Sequence, residues 1–247
     1  MQQVETETTA ERIARLPQRL EEFNTRLERA LRQAGRTTAD VRLVAVSKTQ
    51  DVELVAAGLQ NGLVHFGENY AQELAAKAEE LRRILPARAA EARWHFIGHL
   101  QRNKVKYIAA ETALFHALDS ARLAAEFDKQ AAGLERSIDV LIQVNTSGED
   151  SKFGVAPTAL PALMDEVQQL ARIRIKGLMT IARPQEHAED ARGEFSLLRR
   201  LLDQLADRRS DQHPLDELSM GMSDDFEAAV AEGATYIRVG SALFGSR

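Results

Sequence analysis

Apolar positions along this chain follow two spacings in turn, and their alternation predicts the fold. From Thr9 to Gln33 they recur at helical spacing (Ile13, Leu16, Leu20, Phe23, Leu27, Ala30, Leu31), which predicts an amphipathic helix with Gly35 at its C-cap. Pro17 kinks that helix or marks its true start. Beyond Asp40, short apolar runs of strand length alternate with helical stretches. The runs are Val41–Ser47, Leu63–Phe66, Trp94–Ile97, Leu114–Leu118, Ile138–Val144, Ile173–Met179, Leu215–Ser219 and Tyr236–Val239. Helices are predicted over Val52–Leu59, Tyr70–Leu85, Gln101–Ala109, Arg122–Ala132, onward from Pro157, over Ala188–Arg208 and over Asp224–Glu232. Asp119 or Ser120 and later Ser223 are the expected N-caps, and a last turn runs to Arg247.

Strands separated by helices run parallel, and eight such units predict closure into a (β/α)8 TIM barrel, an α/β fold, preceded by the extra N-terminal helix. An open doubly wound sheet is the rival. It usually has fewer strands and a glycine-rich first turn, whereas the first turn here is Ser47-Lys48-Thr49. No linker interrupts the pattern, so residues 1–247 are expected to form a single domain.

Composition narrows the chemistry. With no cysteine, disulfides, thiolate nucleophiles and Cys-ligated metals are excluded. A formal net charge of −5 argues against nucleic acid as the main partner. No apolar run approaches the roughly 18 residues of a membrane helix, and Met1 to Arg12 lacks the apolar core of a signal peptide. A cytoplasmic protein acting on small molecules or other proteins is expected.

In such a barrel the site is assembled at the carboxyl ends of the strands. The first strand delivers Lys48 there, where an amine can serve as a Schiff-base nucleophile. The alternative is a lysine that only marks the strand's exit into solvent. After strands 7 and 8 the loops read Ser219-Met220-Gly221-Met222-Ser223-Asp224 and Gly240-Ser241-Ala242. They suit a phosphate group, and they equally suit ordinary turns and caps. On strand 8 the alternation turns Tyr236, Arg238 and Gly240 to one face, so that Arg238 points into the barrel. There it either serves a ligand or pairs with an interior carboxylate such as Glu68. His95 and His99 lie on a strand, and His65, His116, His187 and His213 are scattered singly, so a metal site is not expected. No Walker A loop or GxSxG elbow is present.

Five motifs resemble one family. Val44-Ala45-Val46-Ser47-Lys48, Phe66-Gly67-Glu68-Asn69-Tyr70, Trp94-His95-Phe96-Ile97-Gly98, Ser219-Met220-Gly221-Met222-Ser223-Asp224-Asp225 and Ile237-Arg238-Val239-Gly240-Ser241-Ala242-Leu243-Phe244-Gly245 are similar to those of the pyridoxal 5′-phosphate (PLP) homeostasis proteins. These look like the barrel domain of alanine racemase standing alone. The resemblance implies that Lys48 forms the internal aldimine with PLP. It also implies that Ser219, Gly221, Gly240 and Ser241 hold the phosphate, Arg238 faces the pyridine nitrogen, and Asn69 lines the pocket. His99 receives no role. The chain is expected to lack the second domain of alanine racemase with its catalytic tyrosine, and hence to bind, buffer and deliver PLP without established turnover. Other B6 vitamers and transient contacts with PLP-dependent apoenzymes are the further partners implied, and a monomer is expected. Two other functions fit the same lysine: a PLP-dependent amino-acid racemase or lyase, and a Schiff-base aldolase without cofactor.

Overall fold

The computed structural model describes residues 7–149, 152–183 and 188–245. Eight parallel strands close into a barrel in sequence order: β1 Arg42–Val46, β2 His65–Glu68, β3 Arg93–Phe96, β4 Thr112–Leu118, β5 Ile138–Gln143, β6 Ile173–Met179, β7 Glu217–Ser219 and β8 Tyr236–Val239. Closure is made by β1 against β8, with Arg42 beside Tyr236 and Ala45 beside Val239. Around the sheet run α2 Val52–Gln60, α3 Ala71–Ile84, α4 Val105–Ile108, α5 Ala121–Gly133, α6 Leu160–Val167, α7 Arg192–Gln204, α8 Phe226–Ala231 and α9 Ser241–Phe244, after α1 Thr9–Gln33.

The outward residues of each strand build the apolar layer beneath the helices. Phe66 packs on Trp94, and Phe115 lies between Phe96 and Phe127. The first helix covers the seam where the barrel closes. Thr8 and Glu11 form a capping box at its start, so Pro17 sits inside a continuous helix instead of beginning it. Its buried face, Leu16, Leu20, Phe23 and Leu27, meets the barrel's helices, with Phe23 against Phe226 at 5.0 Å between ring centroids. Arg36 ties the following turn to the carbonyls of Val230 and Ala234.

Several expected boundaries move. Strand β7 begins at Glu217 because Leu215 takes a left-handed φ of 50°, which no strand continues. The expected Ala188–Arg208 helix is broken into a 3-10 turn at Ala188–Ala191, α7, and a second turn at Ala206–Arg208. Pro157 opens a 3-10 turn, and the α-helix follows from Leu160. Ser223 does not cap α8. That helix starts three residues later, because the Asp225 carboxylate accepts the Met222 N–H at 2.5 Å and folds the two aspartates into a preceding turn. The last helix is described to Phe244, while Pro184, His187 and the expected end at Arg247 lie outside the described residues. Among the described residues, no helix is long and apolar enough to cross a membrane.

Candidate functional site

At the carboxyl ends of the strands a cavity of about 500 Å³ is lined by Val46, Lys48, Asn69, Ile97, Arg238, Gly240 and Ser241, with Gln50, Ile181, Met222, Ser223, Asp224 and Gly245 completing the wall. The sequence-expected residues Lys48, Asn69, Arg238, Gly240 and Ser241 are therefore brought to one mouth. Lys48 is half-buried in the turn after β1. That turn is held from below. Lys77 Nζ on α3 donates to the Ser47 carbonyl (2.5 Å), to Glu68 Oε1 (2.8 Å) and to Glu73 Oε1 (2.7 Å). Ser47 Oγ donates to the same Glu68 oxygen at 2.7 Å, and Glu73 accepts the Thr49 N–H. The residues on either side of Lys48 are thus both anchored to one buried ammonium. Glu68 belongs to this cluster, so it is not the partner of Arg238.

Asn69 reaches the cavity because Gly98 lets its backbone approach; a Cβ on Gly98 would lie 2.8 Å from the Asn69 carbonyl oxygen. The Asn69 Oδ1 atom is buried and has no hydrogen-bond partner within the described residues. On the opposite rim Ser241 Oγ donates to Ser223 Oγ at 3.1 Å. Gly221 supports this rim from just outside the wall. Its φ is +90°, a Cβ there would meet the Ala229 Cβ at 2.5 Å, and its carbonyl accepts the Arg238 N–H at 3.0 Å.

Arg238 is buried at the cavity floor. Its Nη1 donates to Ser219 Oγ at 2.7 Å and its Nη2 to the Thr180 carbonyl at 2.9 Å. Burial lowers its pKa to about 10, which leaves it a cation at neutral pH. Ser219 does not line the cavity. It is fully buried below the floor, with Oγ shared between Arg238 and His116. Ser223, which the sequence left open between a cap and a ligand-binding residue, lines the rim in its place.

His65 and His116, expected to be scattered singly, are in fact joined through His95. His65 Nδ1 lies 2.8 Å from His95 Nε2, His95 Nδ1 lies 2.8 Å from His116 Nε2, and His116 Nδ1 lies 2.8 Å from Ser219 Oγ. Tyr236 packs across all three rings. They fill the barrel interior, where branched aliphatic side chains are more usual. Among the described residues no group of three or more His, Cys, Asp or Glu is placed to hold a metal ion. His99 stands apart, stacked on Phe153 and 3.1 Å from Asp119.

Burial drives the pKa of His65 down to about 4 and those of His95 and His116 well below 6.5, with neighbouring cationic and imidazole groups adding to the effect. The unfolded chain therefore binds more protons than the folded one. The stability held above pH 6.5 is lost as pH falls from 6.5 towards 4 and below, by up to about 1.4 kcal/mol per pH unit for each fully buried histidine. Urea unfolding should show the loss between pH 6.5 and 5, and His95→Gln should flatten the slope. A variant slope equal to that of the wild type would contradict the burial of a neutral imidazole at this position.

Comparison with known proteins follows the same outline. The family model described as the alanine racemase N-terminal domain matches residues 20–247. A pyridoxal phosphate homeostasis protein of Pseudomonas aeruginosa is 42% identical over 240 residues, which cover 97% of this chain and 96% of that relative. A protein of the same name from Aquifex aeolicus is 41% identical over 230 residues, covering 93% of this chain and 97% of that one. Among solved structures, PipY of Synechococcus elongatus with PLP bound matches with a TM-score of 0.79 at 34% identity, covering 93% of this chain and 100% of PipY.

Proposed function

Because the chain belongs to the pyridoxal phosphate homeostasis proteins, a family built on the alanine racemase N-terminal domain, we propose that it binds PLP in the carboxyl-end cavity through Lys48 and holds it for delivery. The observation that carries this reading is that Lys48, Arg238 and a Gly/Ser rim line one cavity.

The residues present fit the group. A buried amide oxygen without a partner among the described residues, a buried cation on the floor and small residues on the rim match a polar, anionic ring compound. When bound, PLP supplies an aldehyde that condenses reversibly with a primary amine. Lys48 supplies that amine, from a turn clamped by Lys77. Ser223, Ser241 and Gly240 would hold the phosphate, and Gly221 shapes the turn behind them. Ser219 takes a different part from the one its motif implies, since it orients Arg238. Val46, Ile97 and Met222 give the ring apolar surface.

Arg238 weighs against strong carbanion stabilisation without forbidding turnover. A carboxylate facing the pyridine nitrogen would keep the ring protonated and electron-poor, whereas a cationic guanidinium donates to the nitrogen without surrendering a proton. Carbanion chemistry at a bound amino acid is thereby disfavoured. Delivery to apoenzymes and the binding of other B6 vitamers belong to the same reading.

Titration with PLP should give a stoichiometric visible absorption band, and the loaded protein should exchange amino acid α-protons for deuterium no faster than free PLP. A protein that stays colourless would overturn the binding assignment. Exchange well above the free-cofactor rate would favour a racemase or lyase.

A further inference from the structure

We propose that His65, His95 and His116 form a tautomer relay that couples a second pocket, at the amino-terminal end of the barrel, to the hydrogen bond that positions Arg238. The second pocket encloses about 520 Å³ and is lined by His65, His95 and Tyr236 among others. It opens on the face opposite Lys48. Between it and Arg238 the chain His65–His95–His116–Ser219 is continuous, with every link at 2.7–2.8 Å.

Counting hydrogens gives the relay its logic. Each link between two rings, or between a ring and the serine, accommodates one hydrogen. A neutral imidazole carries one N–H, on Nδ1 or on Nε2. If His65 carries it on Nε2, its Nδ1 must accept, so His95 and then His116 must also be Nε2–H tautomers. His116 Nδ1 then accepts the Ser219 hydroxyl. If His65 carries it on Nδ1, all three rings reverse, and His116 Nδ1–H donates to Ser219 Oγ. Any mixed arrangement leaves at least one link with either two hydrogens or none, at the cost of buried unsatisfied groups. Three neutral rings therefore have only two satisfied states, and they switch together.

The far end feels the switch through Ser219. In the first state its oxygen donates to His116 and accepts only from Arg238. In the second it accepts from both, which weakens its hold on Arg238 Nη1 and frees the hydroxyl hydrogen for another acceptor. A proton added at His65 occupies both of its nitrogens and so selects the second state. The charge stays at the half-buried end of the chain, and no net proton is released at Ser219.

The groups facing His65 set how easily that happens. Arg42 on β1 and Arg93 on β3 oppose its protonation. The nearby carboxylates are already engaged: Glu217 by Arg42, Asp139 by Arg174 and Glu91 by Arg88. Lys176 adds a further positive charge to the pocket wall, and Tyr236, its pKa raised to about 12 by burial, stays neutral. Acid or a hydrogen-bond donor in this pocket favours the second state, and an acceptor favours the first.

The relay is tested without ligand, by side-chain ¹⁵N NMR on the histidine-labelled full chain at neutral pH. All three rings should carry hydrogen on the same nitrogen type. His65→Glu, an acceptor, should fix His116 as the Nε2–H tautomer, and His65→Lys, a donor, as the Nδ1–H tautomer. Opposite tautomers on neighbouring rings of the wild type, or a His116 tautomer identical in both variants, would overturn the relay. The wild-type result decides alone if a variant fails to fold. The link to cofactor rests on the PLP reading above, and predicts PLP affinities about five- to tenfold apart between the two variants. Equal affinities with switched tautomers would overturn the coupling to Arg238. No PLP uptake by the wild type would defeat the cofactor reading and leave the NMR result to judge the relay.

Discussion

Lys48→Ala is expected to abolish the visible PLP band while leaving the fold intact. The side chain is half-buried in a turn that Ser47 and Thr49, on either side of it, also anchor. Those anchors survive the truncation, so the variant should still fold. Affinity should fall far more, because the covalent link disappears and only rim and ring contacts remain. A loss of roughly 100-fold or more, about 2.7 kcal/mol, is the expected size. Fluorescence titration of both proteins measures it, with thermal melts as the control for folding. A variant that binds PLP as tightly as the wild type would remove Lys48 from the site.

The second large effect is expected at Lys77, which touches no ligand. Its ammonium is buried against Glu68, a carboxylate with no solvent exposure whose second oxygen has no partner within the described residues. Lys77→Met would leave that carboxylate charged and without its countercharge, held only by the Ser47 hydroxyl, at a cost of about 3–5 kcal/mol. Burial already pushes the Glu68 pKa up, and loss of the cation pushes it further. The deficit relative to wild type should therefore be largest at neutral pH and shrink as pH falls towards 4.5, where the carboxyl is neutral. Comparing wild type with variant at each pH cancels the separate loss from the buried histidines. Adding Glu68→Gln should recover most of the stability at pH 7. The variant should also take up PLP more slowly, since the turn carrying Lys48 loses its anchor. Urea midpoints at pH 7 and 5 measure the first effect, and stopped-flow absorbance the second. An exposed, weak ion pair would give a deficit below about 1 kcal/mol, independent of pH.

Much of this was legible in the residues. Alternation along the chain gave eight strands, and strand parity turned Arg238 inward. A continuous apolar run ending on Lys48 pointed to the mouth of the barrel. What escaped was partnership. Glu68 faces outward from β2 to a lysine nine residues on; it shares parity with Phe66, so alternation already turned it away from Arg238, and only its partner Lys77 lay beyond the strand pattern. Ser219 shares a motif with true rim residues, yet it ends β7 with its side chain inside the barrel, one layer below them. The histidines sit 30 and 21 residues apart on three strands, so no spacing rule joins them. Their signal was parity: His65, His95 and His116 each occupy an inward position on consecutive strands. Inward positions, taken strand by strand, place the three on one face of neighbouring strands.

Borohydride reduction of the PLP-loaded protein, followed by proteolysis and mass spectrometry, tests the central claim most directly. The account predicts one dominant phosphopyridoxyl adduct, on the peptide carrying Lys48, with Lys77, Lys152 and Lys176 largely unmodified. An adduct spread over other lysines, with Lys48 unmodified, would contradict it.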